Sequence, residues 1–282
     1  MDDKLKIYTI GYTMFQTSSG IDTNSLFNTL KDYGISYLVD VRSIPYSRQY
    51  PQCNADALKV LGERFGIPYV HMPQLGAKAD AEQDVFSRAS DIFFTTNIFP
   101  ISKSNRPEKM ELFADDEIVD FQKFVNNEYF LDGLKRISNA YDKGFTLALM
   151  CSEKEPMNCH RYFLVSKEIE RRFKDWIFVN HLIKNDNGEI VTITNEELTR
   201  KRNILILKKK EIIDLDIYSN RWDCPNVLED YFGNTQDEKI EDFCNRYWNL
   251  LHGWKKYNNI NSNNYYLHLQ YNRQETLCQH FF

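Results

Sequence analysis

No stretch of the chain approaches the roughly 18 consecutive apolar residues that a bilayer-spanning helix needs, so a membrane-spanning role is not expected. An excess of basic charge is missing too. The net charge is −5 and the isoelectric point about 5.8, which leaves no global positive field to attract nucleic acid, though a local basic groove stays open. Cysteine is sparse: six are scattered over 282 residues without the dense framework of a disulfide-stapled secreted domain. The opening MDDKLKIYTIGY carries acids where a signal peptide would carry an apolar core. These absences together predict a cytoplasmic protein. Internal repeats are lacking as well, and no Gly- or Pro-rich linker marks a boundary. What is present is a 42% hydrophobic content, enough to bury a substantial core in one large or two smaller domains.

Short apolar runs alternate with amphipathic stretches. Lys6–Ile10 reads as a first strand, ended by Gly11-Tyr12-Thr13. Asp22 is placed to cap a helix with Leu26, Phe27 and Leu30 on one face, and Gly34 stops it. Ile35–Val41 is a second strand, apolar on both faces as a central parallel strand is. Asn54 is expected to cap a helix over Ala55–Phe65, closed by Gly66, and Ile67–Met72 is a third strand. Residues 77–116 break this rhythm and read as an irregular insertion or lid. Helical periodicity returns from about Glu117 to Tyr141, and Phe145–Met150 is a fourth strand. Trp176–Ile183 is a fifth, followed by the turn signal Asn187-Gly188. The alternation predicts an α/β fold with a mostly parallel sheet, helices on both faces, and a site at the strands' carboxyl ends.

The stretch Leu147–Phe173 concentrates the candidate chemistry. Its strand breaks into Cys151-Ser152-Glu153, passes Pro156, and enters a helix near Asn158–Cys159. Two cysteines, a glutamate, a histidine and an arginine thus share one turn region. The other strands end in the same manner: Tyr12 follows the first, Asp40 and Arg42 close the second, and His71 sits near the end of the third.

These positions carry a family resemblance. TIGYT at Thr9–Thr13, LVDVRSIPYSR at Leu38–Arg48, YVHMPQLG at Tyr69–Gly76 and LMCSEKEPMNCHR at Leu149–Arg161 resemble the motifs of the DUF488 family, over roughly Lys4 to Ile183. The resemblance implies an α/β domain with its site at the strand ends, and no particular reaction. The chain departs from the family pattern at Tyr12-Thr13, where His-Ser is common, and at Ala77, where a second glycine often stands. A tyrosine at position 12 offers a hydrogen-bond donor in place of a histidine base.

Each candidate has a structural and a functional reading. Glu153 and Asp40 are the candidate catalytic carboxylates, one to be ionised and one protonated, as cleavage at a glycosidic carbon requires. Asp40 equally suits an ion pair with Arg42, Arg48 or Arg161. Those three arginines have the forked donors of a phosphate or carboxylate clamp, or of salt-bridge scaffolding. Tyr12, Cys151 and His160 complete the expected substrate-binding set. Cys159 beside His160 is a candidate nucleophile, with a buried structural thiol the preferred alternative. No metal is expected: Cys151, Cys159 and His160 are not spaced like a zinc knuckle, and neighbours on a helix point to different sides. No cofactor is implied either. His71 and His181 read as histidines making one backbone bond each.

Beyond Ile183 the character changes, and the chain is divided at 1–194 and 195–282. A helix from Asn195 carries Arg200, Lys201, Arg202, Lys208, Lys209 and Lys210, and aromatics such as Trp222, Tyr231, Trp254 and Tyr265 follow. Basic residues among aromatics suit base stacking, but the acids Glu229, Asp230, Asp237, Glu238, Glu241 and Asp242 favour a small mixed or helical extension. The function these features support is an enzyme, hydrolase- or glycosidase-like, on a phosphate-bearing small molecule or nucleic-acid component. A non-catalytic nucleotide- or nucleic-acid-sensing module is the alternative.

Overall fold

A computed structural model describes residues 6–79, 83–92, 117–173, 176–209 and 235–252. Its contacts gather into two units, Met1–Lys78 with Val125–Leu198, and Ala79–Phe124 with Thr199–Phe282. Among the described residues, no helix is long and apolar enough to cross a membrane.

The first unit is built on a six-stranded sheet. Its strands are β1 (Lys6–Gly11), β2 (Tyr37–Asp40), β3 (Tyr69–His71), β4 (Leu147–Cys151), β5 (Phe178–Lys184) and β6 (Ile190–Thr194). Across the sheet they run β6-β5-β1-β4-β2-β3, all parallel except β6, which pairs antiparallel with β5. β1 and β4 are central and almost wholly buried, which is why β4 is a continuous apolar run. The intervening helices are α1 (Thr23–Asp32), α2 (Ala55–Phe65), α3 (Glu128–Asp142) and α4 (Lys167–Phe173). Tyr8, Ile10, Leu38, Ala148 and Met150 pack against Leu26, Phe27 and Leu30 of α1 and Leu58 of α2. The steps β1–β2–β3 go one way across the sheet and β3–β4–β5 return. Right-handed crossovers therefore assign α3 and α4 to the opposite face.

The register decides what meets at the carboxyl edge. Gly11 lies beside Cys151, while Asp40 lies between Met150 and His71. Four strands so end level with one another, and the side chains just beyond them share one rim.

Three local features differ from the sequence reading. Helical periodicity predicted a helix from about Glu117, yet Glu117–Val119 is a strand paired antiparallel with Phe86–Arg88. The long helix starts only at Glu128, where Asn127 caps it by accepting from the Tyr129 N–H at 2.9 Å. β6 has no counterpart in the reading; the turn at Gly188, with φ of 80°, folds it back onto β5. Asn54 stands at the start of α2, but its side chain accepts from the Ser47 N–H at 2.6 Å and leaves the helix end uncapped.

In the second unit, Asn249 of α6 (Gln236–His252) clasps the Glu117–Val119 strand end. It accepts from the Phe121 N–H at 2.8 Å and donates to the Val119 carbonyl at 2.7 Å. Arg202, on α5 (Asn195–Lys209), is buried against Glu241 and Asn203. The expected aromatics Trp222, Tyr231, Trp254 and Tyr265, and most of the 77–116 insertion, lie outside the described residues.

His181 on β5 ties the sheet to the start of α5. Its Nε2–H donates to Asn195 Oδ1 and its Nδ1 accepts from the Thr9 hydroxyl, both at 2.7 Å. The neutral imidazole has both ring nitrogens satisfied. Burial lowers the imidazole pKa to about 3, with the Arg161 charge adding to the effect. A folded pKa below the unfolded one means that the unfolded chain binds the extra proton. The contribution is therefore complete above the unfolded value of about 6.5 and falls by up to about 1.4 kcal/mol per pH unit below it. Denaturation between pH 7.5 and 5 should show this slope in the wild type, and His181→Gln should be less stable at pH 7.5 with the slope removed.

Candidate active site

The rim above β1, β2 and β4 is organised by a ten-residue excursion after β4. Pro156–Asn158 forms a single 3₁₀ turn, Cys159 is extended with φ −133° and ψ 138°, and His160 enters the helical region. A π-helical segment over Arg161–Ser166 then leads into α4. π-turns of this sort recur at functional sites, where the extra residue per turn redirects side chains. Because Cys159 is extended and His160 helical, their side chains do not splay as helix neighbours would. They converge.

Arg161 holds this excursion in place. It is fully buried, and its guanidinium donates to the backbone carbonyls of Glu153 at 2.6 Å and Lys154 at 2.9 Å. Gly11 makes room for it: a Cβ there would lie 1.8 Å from the Glu153 carbonyl oxygen and 3.1 Å from Arg161 Nη2. This arginine is spent on the loop.

Asp40 and Arg42 form a second brace. The fully buried carboxylate of Asp40 accepts from Arg42 at 2.5–3.0 Å, from the Arg42 N–H at 3.0 Å, and from the Tyr69 hydroxyl at 2.6 Å. Arg42 also donates to the Cys53 carbonyl at 2.9 Å. Tyr12 is buried with its ring 5.3 Å from that guanidinium. Burial raises the Tyr12 hydroxyl pKa, so it stays a donor. His71 Nε2–H donates to the Arg42 carbonyl at 2.8 Å. Asp40, Arg42 and Tyr12 are thus brought together, while Glu153 finds its partners elsewhere. Arg48 stands apart from both groups, exposed on the loop after β2.

The remaining group faces the opening. Glu153 and His160 are half-buried, while Cys151 and Cys159 are buried beneath them. Cys151 Sγ donates to Glu153 Oε2 at 3.0 Å. His160 Nε2–H donates to the Val41 carbonyl at 2.8 Å, which leaves Nδ1 facing Cys151 Sγ at 3.7 Å and Cys159 Sγ at 3.9 Å. Burial alone would raise the Glu153 carboxyl, but hydrogen bonds from Cys159 and Cys151 and the His160 charge bring it down to about 2. Burial likewise opposes charge on His160, yet Cys151 and Glu153 raise it to about 8. The Cys151 thiol, deprived of solvent, is pushed well above its ordinary value. The arrangement offers an ionised carboxylate, an imidazole held in one orientation, and two sulfurs in a single recess.

Sequence reasoning passed over Tyr69 and the close approach at Gly11. The signal for Tyr69 was its place on β3 beside Leu38, two residues before Asp40. Nothing local marks Gly11, because its neighbour is a carbonyl 142 residues further along the chain.

A family model described as "Domain of unknown function DUF488" matches residues 22–96 and 101–167, about half of the chain. The matched residues include Asp40, Arg42, Cys151, Glu153, Cys159 and His160. No curated protein and no solved structure matches the chain.

The Gly11 contact yields a test of how the excursion is held. Gly11→Ala drives a methyl group into the Glu153 backbone, where overpacking typically costs about 1–3 kcal/mol. The variant should melt several degrees lower and lose ligand-dependent activity, whereas Gly34→Ala, with no atom within 4 Å of its Cβ, should melt lower from backbone strain alone and keep activity. Equal activity in both variants would show that the Glu153 backbone position is not critical.

Proposed function

The chain belongs to the DUF488 family, a domain of unknown function, and on that premise we propose that it is a hydrolase of nucleotide-type substrates, with Glu153 as its base. The observation that carries this reading is the half-buried Glu153 carboxylate, set beside His160 at the rim where the parallel strands end. Ligands of open α/β sheets bind at that edge. In the proposed step, Glu153 takes a proton from water while the water's oxygen bonds to the electrophilic carbon or phosphorus. The bond to the leaving group then breaks, and the leaving group receives the proton from Glu153. A two-carboxylate glycosidase scheme finds less support, since both oxygens of Asp40 are engaged by Arg42 and Tyr69.

The nucleotide preference rests on the loop after β2. Tyr46 is 59% exposed and Ile44 41% exposed, with Arg48 exposed two residues further on. The loop is pinned by Asn54, which accepts from Ser47 N–H, and by Ser47 Oγ, which accepts from Tyr50 N–H at 3.0 Å. An aromatic face and a guanidinium on one fixed loop suit a base and its phosphate. Arg42 and Arg161 are already bonded to protein groups, so Arg48 is left as the cation for the phosphate.

The test is to incubate the protein with nucleosides, nucleoside phosphates and single-stranded oligonucleotides, and to separate the products by chromatography. Released base, phosphate or ammonia identifies the bond cleaved. Glu153→Gln should lower kcat by about 10²-fold or more, the usual effect of removing a proton-transfer group, and should melt lower because the interactions that hold the carboxyl pKa down are lost. Tyr46→Ala should mainly raise KM. Full activity in Glu153→Gln would overturn the assignment.

A further inference from the structure

Cys151, Cys159 and His160 form the strongest unexplained cluster in the chain. One sulfur from each cysteine and Nδ1 of the histidine lie within 4.8 Å of one another. Among the described residues, no other three His, Cys, Asp or Glu side chains gather in this way. We infer that these three residues bind a zinc ion whose fourth position is left to water beside Glu153. The inference deepens the hydrolase reading of the same site, but it stands on ligand geometry and does not need that reaction.

The distances fit one shared ion better than a set of hydrogen bonds. Zinc bonds of about 2.3 Å to sulfur and 2.0–2.1 Å to nitrogen, at tetrahedral angles, set sulfur and nitrogen about 3.6 Å apart. The observed separations from His160 Nδ1 are 3.7 Å to Cys151 Sγ and 3.9 Å to Cys159 Sγ. Two sulfurs nearly equidistant from one nitrogen are the edges of a common coordination polyhedron.

The groups behind the ligands agree. A metal-bound histidine characteristically donates its other ring N–H to a carbonyl or carboxylate, which fixes the tautomer and aims the free nitrogen. His160 does so through Nε2–H to the Val41 carbonyl at 2.8 Å. Each ligand also sits on a fixed piece of backbone: Cys151 ends β4, Cys159 is the extended residue after the 3₁₀ turn, and His160 opens the π-helical segment. Arg161, the next residue, is clamped to the Glu153 and Lys154 carbonyls. The site needs little ordering on metal entry.

Ligand chemistry selects the ion. Two thiolates and an imidazole are too soft for magnesium or calcium and match zinc. Three protein ligands are the number found in catalytic zinc sites, which keep one position open. Glu153 does not fill that position: its Oε2 is 3.0 Å from Cys151 Sγ, shorter than the about 3.5 Å that separates oxygen and sulfur ligands on one tetrahedral zinc. The carboxylate lies beside the coordination shell. There it is placed to take the proton of a zinc-bound water while the oxygen's electron pair stays on the metal-held hydroxide.

The experiment uses the full chain, stripped with a chelator and reloaded with zinc or cobalt(II), with folding followed by circular dichroism. Wild type should retain one zinc per chain after dialysis, measured by plasma mass spectrometry. With cobalt it should show a thiolate-to-metal charge-transfer band and the intense visible bands of a tetrahedral site. Cys151→Ser, Cys159→Ser and His160→Gln should each lower retention at least tenfold, while Cys53→Ser, which alters a buried thiol outside the cluster, should keep it. Because a ligand variant can fail to fold without zinc, the wild-type cobalt spectrum decides by itself. A folded wild type with no charge-transfer band and no retained zinc overturns the inference. Glu153→Gln separates the two proposals: it should keep the metal and lose turnover. Metal retained with full turnover in that variant sinks the base and leaves the zinc; no metal with turnover abolished does the reverse.

Discussion

The buried guanidinium of Arg161 is the constraint on which the site depends. A cation without solvent is costly unless donors are met, and here Nη1 and Nη2 donate to the backbone carbonyls of Glu153 and Lys154, while Nε is buried with no partner among the described residues. Hydrogen bonds to charged groups contribute about 1.5–3 kcal/mol each, so the two together offset part of the entropy of fixing the loop. Their effect is to fold the 151–160 excursion back over β1. That return requires Gly11, since any side chain there would occupy the space of the Glu153 carbonyl. Two cysteines, a glutamate and a histidine that are up to nine residues apart become neighbours as a result.

A second buried cation does the corresponding work under β2. Arg42, held by Asp40 and flanked by Tyr12 and Tyr69, fixes the strand end from which the loop of Tyr46 and Arg48 springs. Two histidines then take the carbonyls just beyond that end, His160 at Val41 and His71 at Arg42. Buried pairs of this kind are weak evidence for net stability, because desolvation offsets much of the attraction. They are strong determinants of position, since breaking one partner leaves an unpaired charge. The rim is rigid for this reason, and rigidity is what a proton-transfer or metal site needs.

Much of this was legible in the chain itself. Apolar runs at Ile35–Val41 and Phe145–Met150 marked buried strands of a parallel sheet, because strands covered on both faces lack a polar side. Asp22 and Gly34 bounded α1 correctly, the one through its side-chain bond to the Ser25 N–H and the other through its positive φ. Glu117–Val119 was misjudged because a three-residue strand is too short to show its own period against a helical stretch downstream. β6 was missed because it is an edge strand, polar on alternate positions, and specified mainly by pairing with β5.

Local pattern therefore determined the α/β architecture, the gathering of strand ends on one edge, and the residue types available there. Periodicity, caps and turn residues act over a few positions, and a sequence displays those directly. Tertiary structure alone decided how the polar groups were divided. Arg161 had an anion-site reading and Asp40 a catalytic one, each with bracing as the alternative, and only their bonds to a carbonyl or an arginine favour bracing. The same holds for Cys159 and His160. Read as neighbours on a helix they diverge, but one extended residue before a π-turn makes them converge on Cys151. Backbone dihedrals at a single junction, set by long-range contacts with Gly11 and Val41, are not written in any local pattern.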